Sequence, residues 1–476
     1  MEKTGNFTDL YQLTMMYGYW QQDRHQERAV FDLYFRKNPF GHGFTIAAGL
    51  AHAVEYLLNL QFTKADLEYL GSTGLFPDPG FLQQLATWRW RGTVRAVSEG
   101  TPVFPGEPIL QVSGTLWETQ LVETALLNII GFQSLVATKA RRIVDAANGK
   151  PVMEFGSRRA QEGDAAVWGA RAAVIGGCTA TSNVTAGQQF GIPIAGTHAH
   201  SWVMSFSDEL TAFRAYAHAY PNNLILLVDT YDTLKSGVPN AIKVFDEQKH
   251  KPSYYGIRLD SGDLAYLSRE ARIMLDAAGY PDAKIIASND LDEYLIRELE
   301  IQGAKIDAYG VGTKLITGYD QPALGCVYKL AALWDNKSYQ WVPKLKRSEN
   351  PEKITVPGVK QVVRCYLPNG EASVDLLLLL HETLPFGELT VFDPIHTWKR
   401  KTITNFTTRI LLQKVLEDGK QLIELPSLSE SVAYAKQQLS TLSPEHRRLL
   451  NPHGYHVDLS QELWNLQQNM LGGSGQ

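Results

Sequence analysis

Short apolar runs alternate with longer amphipathic segments between residues 151 and 311. Each run has the length of a buried strand, and the intervening segments, such as 261–279 and 290–303, have the length of a helix. The runs are 151–155, 192–195, 224–228, 255–259, 285–287 and 308–311. Repeated alternation of strands and helices predicts a parallel α/β barrel or sheet.

The N-terminal part has a different pattern. Residues 29–35 alternate as a strand does, and two short strands, 94–96 and 109–112, flank turns that contain proline. This arrangement is typical of an open antiparallel sheet. We also predict a helix with Thr8 or Asp9 as its cap, and a second helix over 118–131.

The C-terminal part gives weaker signals. Residues 374–380 are the most apolar run and predict a buried strand or a core helix. Basic residues in 344–347 and 353–360 predict either an exposed hairpin or a solvated run of charge. Closing helices are predicted over 432–442 and 462–471.

Length and composition limit the class of protein. A chain of 476 residues with 44% hydrophobic residues and 20% charged residues is typical of a globular enzyme with two or three domains. The net charge of −5 argues against a nucleic-acid or membrane partner. Cys178, Cys326 and Cys365 lack CxxC spacing, so we predict no disulfide framework, no structural zinc site and a reducing compartment. Residues 1–6 lack a signal pattern, and we predict a cytoplasmic location.

Polar residues follow each apolar run in the region 151–314. They are Gly156-Ser-Arg-Arg159, Thr197-His-Ala-His-Ser201, Asp229-Thr-Tyr-Asp232, Arg258-Leu-Asp-Ser-Gly-Asp263, Ser288-Asn-Asp290 and Gly310-Val-Gly-Thr-Lys314. The carboxyl ends of parallel barrel strands face one common mouth, where active sites are built. These residues therefore predict an active site there.

Several of these residues suit anionic ligands. Gly310-Val-Gly-Thr313 can direct backbone N–H groups at a phosphate, although a tight structural turn would have the same sequence. Arg158, Arg159 and Arg258 would supply positive charge, with a surface role equally open for Arg159. Of the nearby carboxylates, we expect Asp260 to face the ligand while Asp263 caps the following helix.

His198 and His200 follow run 192–195, and acidic residues 208–209 then begin a predicted helix. The histidines could merely cap the end of a strand. Asp229, at the end of the neighbouring strand, is expected to accept a hydrogen bond from the His200 imidazole and leave its other nitrogen nucleophilic. Beside phosphate-binding groups, such a histidine indicates a phosphohistidine intermediate.

Together these motifs resemble those of nicotinate phosphoribosyltransferases, in family order over about residues 7–330 and more thinly through 353–358. They are Thr8-Asp-Leu-Tyr-Gln12, Phe35-Arg-Lys-Asn-Pro-Phe40, Glu154-Phe-Gly-Ser-Arg-Arg159, Gly196-Thr-His-Ala-His-Ser201, Val228-Asp-Thr-Tyr-Asp232, Arg258-Leu-Asp-Ser-Gly-Asp263 and Gly310-Val-Gly-Thr-Lys314.

The resemblance implies an α/β fold with an irregular, TIM-like barrel and an open-faced β-sheet and helical N-terminal domain. It places the N-terminal domain at 1–136, completed by C-terminal segments, the barrel at 137–330 and a C-terminal extension at 331–476. It also implies a homodimer with shared active sites. The implied reaction joins nicotinate to 5-phosphoribosyl 1-pyrophosphate in NAD salvage, with Mg²⁺ accompanying the pyrophosphate and ATP phosphorylating a histidine.

The resemblance also implies roles for individual residues. His200, not His198, matches the phosphorylated histidine, and Ser201 lies beside it in the matching motif. Arg258 matches a contact to the pyridine or the ribose phosphate, Arg158 matches a clamp over the pyridine, and Tyr11 matches a stacking residue from the other subunit. Further matches are Asp260 with the ribose contact and Ser288, Asn289, Gly312 and Thr313 with the cup for the 5′-phosphate.

One residue bears on the choice of substrate. Asn183 stands where a nicotinamide-using relative has an aspartate, and an asparagine can donate to the nicotinate carboxylate. Nicotinamide or quinolinate phosphoribosyltransferase is the alternative within the enzyme class. A non-catalytic barrel that senses nucleotides or phosphosugars is the alternative outside it.

Overall fold

The computed structural model describes residues 4–248, 252–350 and 353–472. It divides into two compact units. One unit combines Met1–Leu135 with Ala323–Gln476, and the other is Val136–Pro322. Residues from both ends of the chain therefore share a unit, and the α/β region is inserted between them.

The inserted unit is built on a six-stranded parallel sheet, which confirms the predicted α/β class. In spatial order its strands are Ala180–Thr181, Val152–Glu154, Ala308–Val311, Lys284–Ala287, Tyr254–Leu259 and Asn223–Leu227. The last strand in sequence lies beside the first, so the sheet curls into a half-barrel. Most branched apolar side chains in these strands are buried, among them Leu224, Ile257 and Ile285, as parallel strands covered by helices require.

Helices connect these strands. They are Gly163–Ile175, Val184–Phe190, His200–Met204, Glu209–Ala219, Val238–Glu247, Leu264–Ala277, Glu293–Ile301 and Thr313–Ile316, with short irregular turns at Ser157–Arg159 and Thr233–Gly237. Asp208 caps Glu209–Ala219 by accepting from the Thr211 N–H, which confirms the helix predicted there. Asp263 caps Leu264–Ala277 in the same way, as expected from the sequence.

The predicted buried strand over 192–195 is wrong. Only Ile194 pairs, through a single bridge to Thr181, and its side chain is 61% exposed. Pro193 has no N–H to donate to a ladder, and Gly191 adopts a left-handed φ of 67° just before it. The sheet is consequently open between Ile194 and the edge strand Asn223–Leu227.

The other unit contains a seven-stranded antiparallel sheet. In spatial order its strands are Gln340–Pro343, Cys326–Asp335, Arg28–Phe35, Leu110–Thr115, Thr93–Ala96, Gln413–Glu417 and Lys420–Gln421. The strands predicted near 29–35, 94–96 and 109–112 are confirmed. Residues 29–35 are all buried because this strand lies inside the sheet with packing on both faces.

A four-stranded sheet and two two-stranded sheets complete this unit. The four strands are Thr407–Ile410, Lys360–Tyr366, Ala372–Leu379 and Val457–Leu459, and the pairs are Glu388–Phe392 with Arg400–Thr404 and Thr45–Ile46 with Pro102–Val103. The apolar run near 374–380 is thus a strand. The basic hairpin is not formed: the described parts of 344–360 contain no strand before Lys360, which is buried and paired with Asp32 at 2.7 Å.

The helices of this unit are Leu10–Gln21, Leu50–Asn59, Lys64–Ser72, Pro79–Thr87, Leu116–Leu121, Leu428–Ser440 and Gln461–Gly472, with Pro39–Gly41 a short turn. The two closing helices confirm the prediction. Asp9 occupies the N-cap position of the first helix, but its carboxylate accepts from Thr124 Oγ1 at 2.7 Å and not from a helical N–H.

One long helix, Glu123–Ala146, begins in the unit that contains both ends of the chain and ends in the inserted unit. The predicted end at 131 is wrong, because Gly131 is buried within the helix and does not take the left-handed conformation of a C-cap. By length and composition alone, Leu116–Ala146 could cross a membrane, but 72% of its most apolar window is buried within the structure. Such burial is typical of a helix in the hydrophobic core of a globular protein.

Candidate active site

The loop 196–201 carries both histidines of the predicted site into the mouth of the half-barrel. His200 is the first residue of the short helix His200–Met204, and its side chain is 39% exposed. Its Nδ1 atom lies 3.1 Å from Thr230 Oγ1. Its Nε2 atom lies 3.9 Å from Asp229 Oδ1 and 3.8 Å from Asp260 Oδ2. The ring therefore has one hydrogen-bonded nitrogen and one facing two carboxylates.

The expected hydrogen bond between Asp229 and His200 is not formed. Asp229 Oδ2 accepts instead from the Asp260 backbone N–H at 2.9 Å and from Ser261 Oγ at 2.6 Å. Asp229 thus orders the loop after the neighbouring strand. Thr230, one residue later, takes the place at the imidazole that was predicted for Asp229.

Asp260 is held by Ser288, whose hydroxyl donates to Asp260 Oδ1. Three consecutive strands of the sheet, which end at Leu227, Leu259 and Ala287, therefore contribute contacting groups to one site. This convergence confirms that these strand ends meet, and it places Asp260 and not the cap Asp263 beside the imidazole.

Arg258 provides the positive charge nearest to these carboxylates. Its Nη1 donates to Thr197 Oγ1 at 2.5 Å, and its buried Nε has no hydrogen-bond partner within the described part of the chain. Burial lowers the pKa of this guanidinium, Asp260 and Asp229 oppose that shift, and the positive charge of Arg158 adds to it. Arg158 is exposed, so the two arginines form a cationic region with donors available for an anion.

A buried carboxylate supports the segment that carries Arg158. Glu154 accepts from the Gly156 N–H with one oxygen and from Thr181 Oγ1, at 2.6 Å, with the other. Burial raises the pKa of Glu154. These contacts fix the turn Ser157–Arg159 at the end of its strand.

The predicted phosphate cup lies at the ends of two adjacent strands, Lys284–Ala287 and Ala308–Val311. Ser288 is buried, whereas Asn289 is exposed in a left-handed conformation with φ of 89°. Gly312 allows close approach of two segments, since a Cβ atom built on it would lie 2.9 Å from the Phe155 carbonyl oxygen. Thr313 begins the helix that follows, so its N–H points outward from a helix start.

A divalent cation would find oxygen ligands here but no complete cage. In the described ranges, no three His, Cys, Asp or Glu side chains are grouped to hold a metal. Asp229 Oδ1 is buried and lacks a hydrogen-bond partner in those ranges, and Asp260 Oδ2 lies near the same imidazole nitrogen. Mg²⁺ commonly binds one or two carboxylates while phosphates and water complete its shell. The residues therefore fit a Mg²⁺ ion that arrives with a phosphorylated ligand.

Comparison with known proteins identifies the family. Three family models match in order: the nicotinate phosphoribosyltransferase N-terminal domain over residues 7–131, the nicotinate phosphoribosyltransferase family over 151–362 and the C-terminal domain over 359–467. The nicotinate phosphoribosyltransferase of Bacillus subtilis strain 168 is 48% identical over 460 residues, which cover 96% of this chain and 93% of that protein. The chain belongs to the nicotinate phosphoribosyltransferase family.

Solved structures agree with this assignment. The crystal structure of human nicotinic acid phosphoribosyltransferase is 35% identical, with a TM-score of 0.85 over 97% of this chain and 99% of that one. A nicotinate-nucleotide pyrophosphorylase structure from Pyrococcus furiosus, 24% identical with a TM-score of 0.69 over 92% of this chain and 95% of that one, shares the fold. The resemblance stated from the motifs is confirmed at the level of the family.

Of the residues implied by the nicotinate phosphoribosyltransferase resemblance, Asn183 is bound within the chain, whereas Tyr11 and Ser201 are exposed. Asn183 is 7% exposed; its Oδ1 accepts from the Ala186 N–H and its Nδ2 donates to Ser157 Oγ at 2.8 Å. It thus caps a helix and contacts the turn before Arg158. Tyr11 is 48% exposed on Leu10–Gln21 in the other unit. Ser201 is exposed in the first turn of its helix.

Sequence reasoning missed four polar side chains of this site. They are Glu154, Ser157, Thr197 and Thr230. All four stand inside motifs quoted from the sequence, and their position at strand ends is the signal that could have found them. The charged and aromatic residues beside them have chemistry that is easier to recognise from sequence alone.

Proposed function

We propose that this chain joins nicotinate to 5-phosphoribosyl 1-pyrophosphate, forming nicotinate mononucleotide and pyrophosphate. The observation that carries this proposal is the convergence of Arg258, His200 and Asp260 at one mouth in a chain of this family. The names of the relatives give the reaction, and the geometry supplies groups that suit it.

The chemistry is a displacement at the anomeric carbon of ribose. The pyridine nitrogen of nicotinate forms a bond to that carbon, and the bond from carbon to the pyrophosphate oxygen breaks with its electron pair leaving on oxygen. Positive charge develops on the ribose, so the site mainly needs to orient anions and stabilise the leaving group. Nicotinate needs no deprotonation at its ring nitrogen, so no general base is required.

The described residues divide these tasks. Arg258 and the exposed Arg158 contact the carboxylate and phosphate groups of the substrates. Asp260, held by Ser288, accepts from the ribose hydroxyls, while Ser288, Asn289, Gly312 and Thr313 form the phosphate cup. Asp229 and Asp260 would hold Mg²⁺, which would neutralise the departing pyrophosphate.

ATP enters through His200 in this proposal. An unprotonated Nε2 atom attacks the γ-phosphorus of ATP, the bond to the ADP oxygen breaks, and ADP leaves. Water later attacks the phosphorus and frees the ring as inorganic phosphate is released. Thr230 supports this step because a proton on Nδ1, donated to its hydroxyl, leaves the lone pair on Nε2.

The proposal extends to assembly and location. The exposed ring of Tyr11 suits stacking in the active site of a second copy, which supports a homodimer with shared sites. From membership of the same family we also propose that the chain is cytoplasmic and acts in NAD salvage.

Product analysis tests the activity. The purified chain is incubated with phosphoribosyl pyrophosphate, Mg²⁺, ATP and, in parallel, nicotinate, nicotinamide or quinolinate, and products are identified by mass spectrometry. We expect nicotinate mononucleotide as the main product. If nicotinamide or quinolinate is used in preference, that pyridine is the substrate and not nicotinate. If phosphoribosyl pyrophosphate binds but no mononucleotide forms, the chain is a sensor and not an enzyme.

A further inference from the structure

The edge strand Asn223–Leu227 has a strand neighbour on only one side in the described sheet. It pairs with Tyr254–Leu259, and the Val228 N–H continues that ladder by donating to the Arg258 carbonyl at 3.2 Å. Because backbone groups alternate sides along a strand, the Leu227 N–H points to the other, open side. Leu227 is completely buried, so this donor has no access to water.

An imidazole takes the place of the missing strand. The Leu227 N–H donates to His198 Nε2 at 3.3 Å. A buried N–H group without a hydrogen-bond partner would lower the stability of the fold. The contact with His198 satisfies this group at the opening of the half-barrel.

His198 is rigidly placed for this contact. It is 8% exposed, and its ring packs edge-on against Tyr216 with centroids 4.6 Å apart. Burial lowers the pKa of His198 to about 4, so the ring is neutral and can accept at Nε2. The remaining proton then lies on Nδ1, which is 3.5 Å from the Ala199 carbonyl.

The same strand end also holds the reactive imidazole. Leu227 is followed by Asp229 and Thr230, and Thr230 Oγ1 contacts His200 Nδ1 at 3.1 Å. Two histidines of one loop are therefore attached to one strand end, the first through a backbone donor and the second through a hydroxyl. Only Ala199 separates the two histidines, so a shift of the His198 ring would be passed directly to His200.

We propose that His198 is a positioning residue for His200: its imidazole substitutes for a neighbouring strand at Leu227 and thereby fixes the loop that presents the phosphate-accepting nitrogen. This inference rests on the proposed function, because it assigns His198 to the ATP-dependent half of that reaction. His198 touches no reacting atom. The contrasting interpretation is a core histidine that contributes only to stability.

Two substitutions separate these interpretations. In His198→Gln the side-chain amide oxygen reaches the position of Nε2 and can accept from Leu227. His198→Leu has similar volume and no acceptor. We expect His198→Leu to lower the rate of phosphate transfer from ATP to His200 about tenfold, the typical effect of a buried donor left unpaired, with the KM for phosphoribosyl pyrophosphate unchanged. His198→Gln should restore most of the rate.

A buried histidine in the other unit provides the control for stability. His52 is 7% exposed and its Nδ1 lies 3.0 Å from Gln133 Nε2. His52→Leu should lower the free energy of unfolding while leaving phosphate transfer at the wild-type rate. Slower transfer in His198→Leu at temperatures where both variants are folded then reflects positioning.

The wild-type enzyme offers a second measurement, for which His198→Gln serves only to assign a resonance. In the ¹⁵N spectrum of histidine-labelled protein near neutral pH, the resonance lost in His198→Gln should show an unprotonated Nε2. A protonated Nε2 would overturn the inference, as would transfer at the wild-type rate in His198→Leu, or equally slow transfer in His198→Gln. If wild type makes no nicotinate mononucleotide, it is the proposed function that fails.

Discussion

Thr230 and His200 are joined across the opening of the half-barrel by a contact of 3.1 Å between Oγ1 and Nδ1. This contact is the only hydrogen bond of the His200 ring to the described residues, and it leaves Nε2 without one. A carboxylate was expected in this position. A hydroxyl fixes the ring without placing a negative charge against Nδ1.

Replacement of Thr230 by valine tests this contact. Thr230→Val keeps the shape of the side chain and removes the hydroxyl, so we expect ATP-dependent phosphorylation of His200 to fall about tenfold, as for loss of one hydrogen bond to a reactive group. Synthesis without ATP should change much less. The comparison is made by single-turnover labelling alongside steady-state product formation, with Thr230→Ser as the control that retains the hydroxyl. Equal rates in valine and serine variants would remove Thr230 from the mechanism.

Arg258 is expected to require its planar guanidinium. Its Nη1 is bound to Thr197, and its Nε is buried and available. Lysine cannot contact Thr197 and an anion with the same fork, so Arg258→Lys should lower kcat/KM for phosphoribosyl pyrophosphate about 100-fold. Arg269→Lys, on the exposed side of Leu264–Ala277, is the matched control and should leave kcat/KM unchanged. A small effect at position 258 would assign anion binding to other residues.

Gly312 is expected to be intolerant of even one methyl group. A Cβ atom there would meet the Phe155 carbonyl at 2.9 Å, so the turn of the phosphate cup must shift. Gly312→Ala should raise the KM for phosphoribosyl pyrophosphate about tenfold or more, since small displacements of positioning groups have such costs. Gly163 has open space around its Cβ position, and Gly163→Ala should leave that KM unchanged. An unaltered KM in Gly312→Ala would place the phosphate elsewhere.

His198 should make stability depend on pH. Burial lowers its pKa to about 4 in the folded chain from 6.5. Below 6.5 the unfolded chain therefore binds a proton that the folded chain excludes, and stability falls as pH falls. The full loss is about 3 kcal/mol between about pH 7 and pH 4. Urea unfolding of both proteins should show wild type losing about 3 kcal/mol of stability relative to His198→Gln as the pH falls from 7 to 4. A difference that is constant with pH would show that His198 titrates normally.

Much of the fold could be predicted because buried strands and capped helices have local signals. The runs at 224–228 and 308–311 are bounded by polar residues and lie almost where the strands do. Asp208 and Asp263 are capping residues whose function depends on the next three residues alone. Such local chemistry is readable from the chain.

Contacts between strands were harder to predict. An apolar run at 192–195 looked like a strand, but Pro193 and the open edge of the sheet reduced it to one bridge. Asp229 and Thr230 are adjacent in sequence, and only the direction of their side chains decides which one meets His200. Nothing in the sequence shows that Leu227 lacks a strand neighbour, so the contact of His198 with it cannot be predicted from the chain. These outcomes depend on tertiary packing, which no single segment encodes.

Transfer of phosphate from ATP to a single histidine is the most direct measure of the whole account. Wild type and His200→Ala are incubated with γ-³²P-labelled ATP, and acid-labile label on the protein is quantified beside nicotinate mononucleotide formation. We predict label on wild type only, with His200→Ala keeping some ATP-independent synthesis but losing all stimulation by ATP. Acid-labile phosphohistidine of equal amount in His200→Ala would contradict the assignment of the phosphate acceptor.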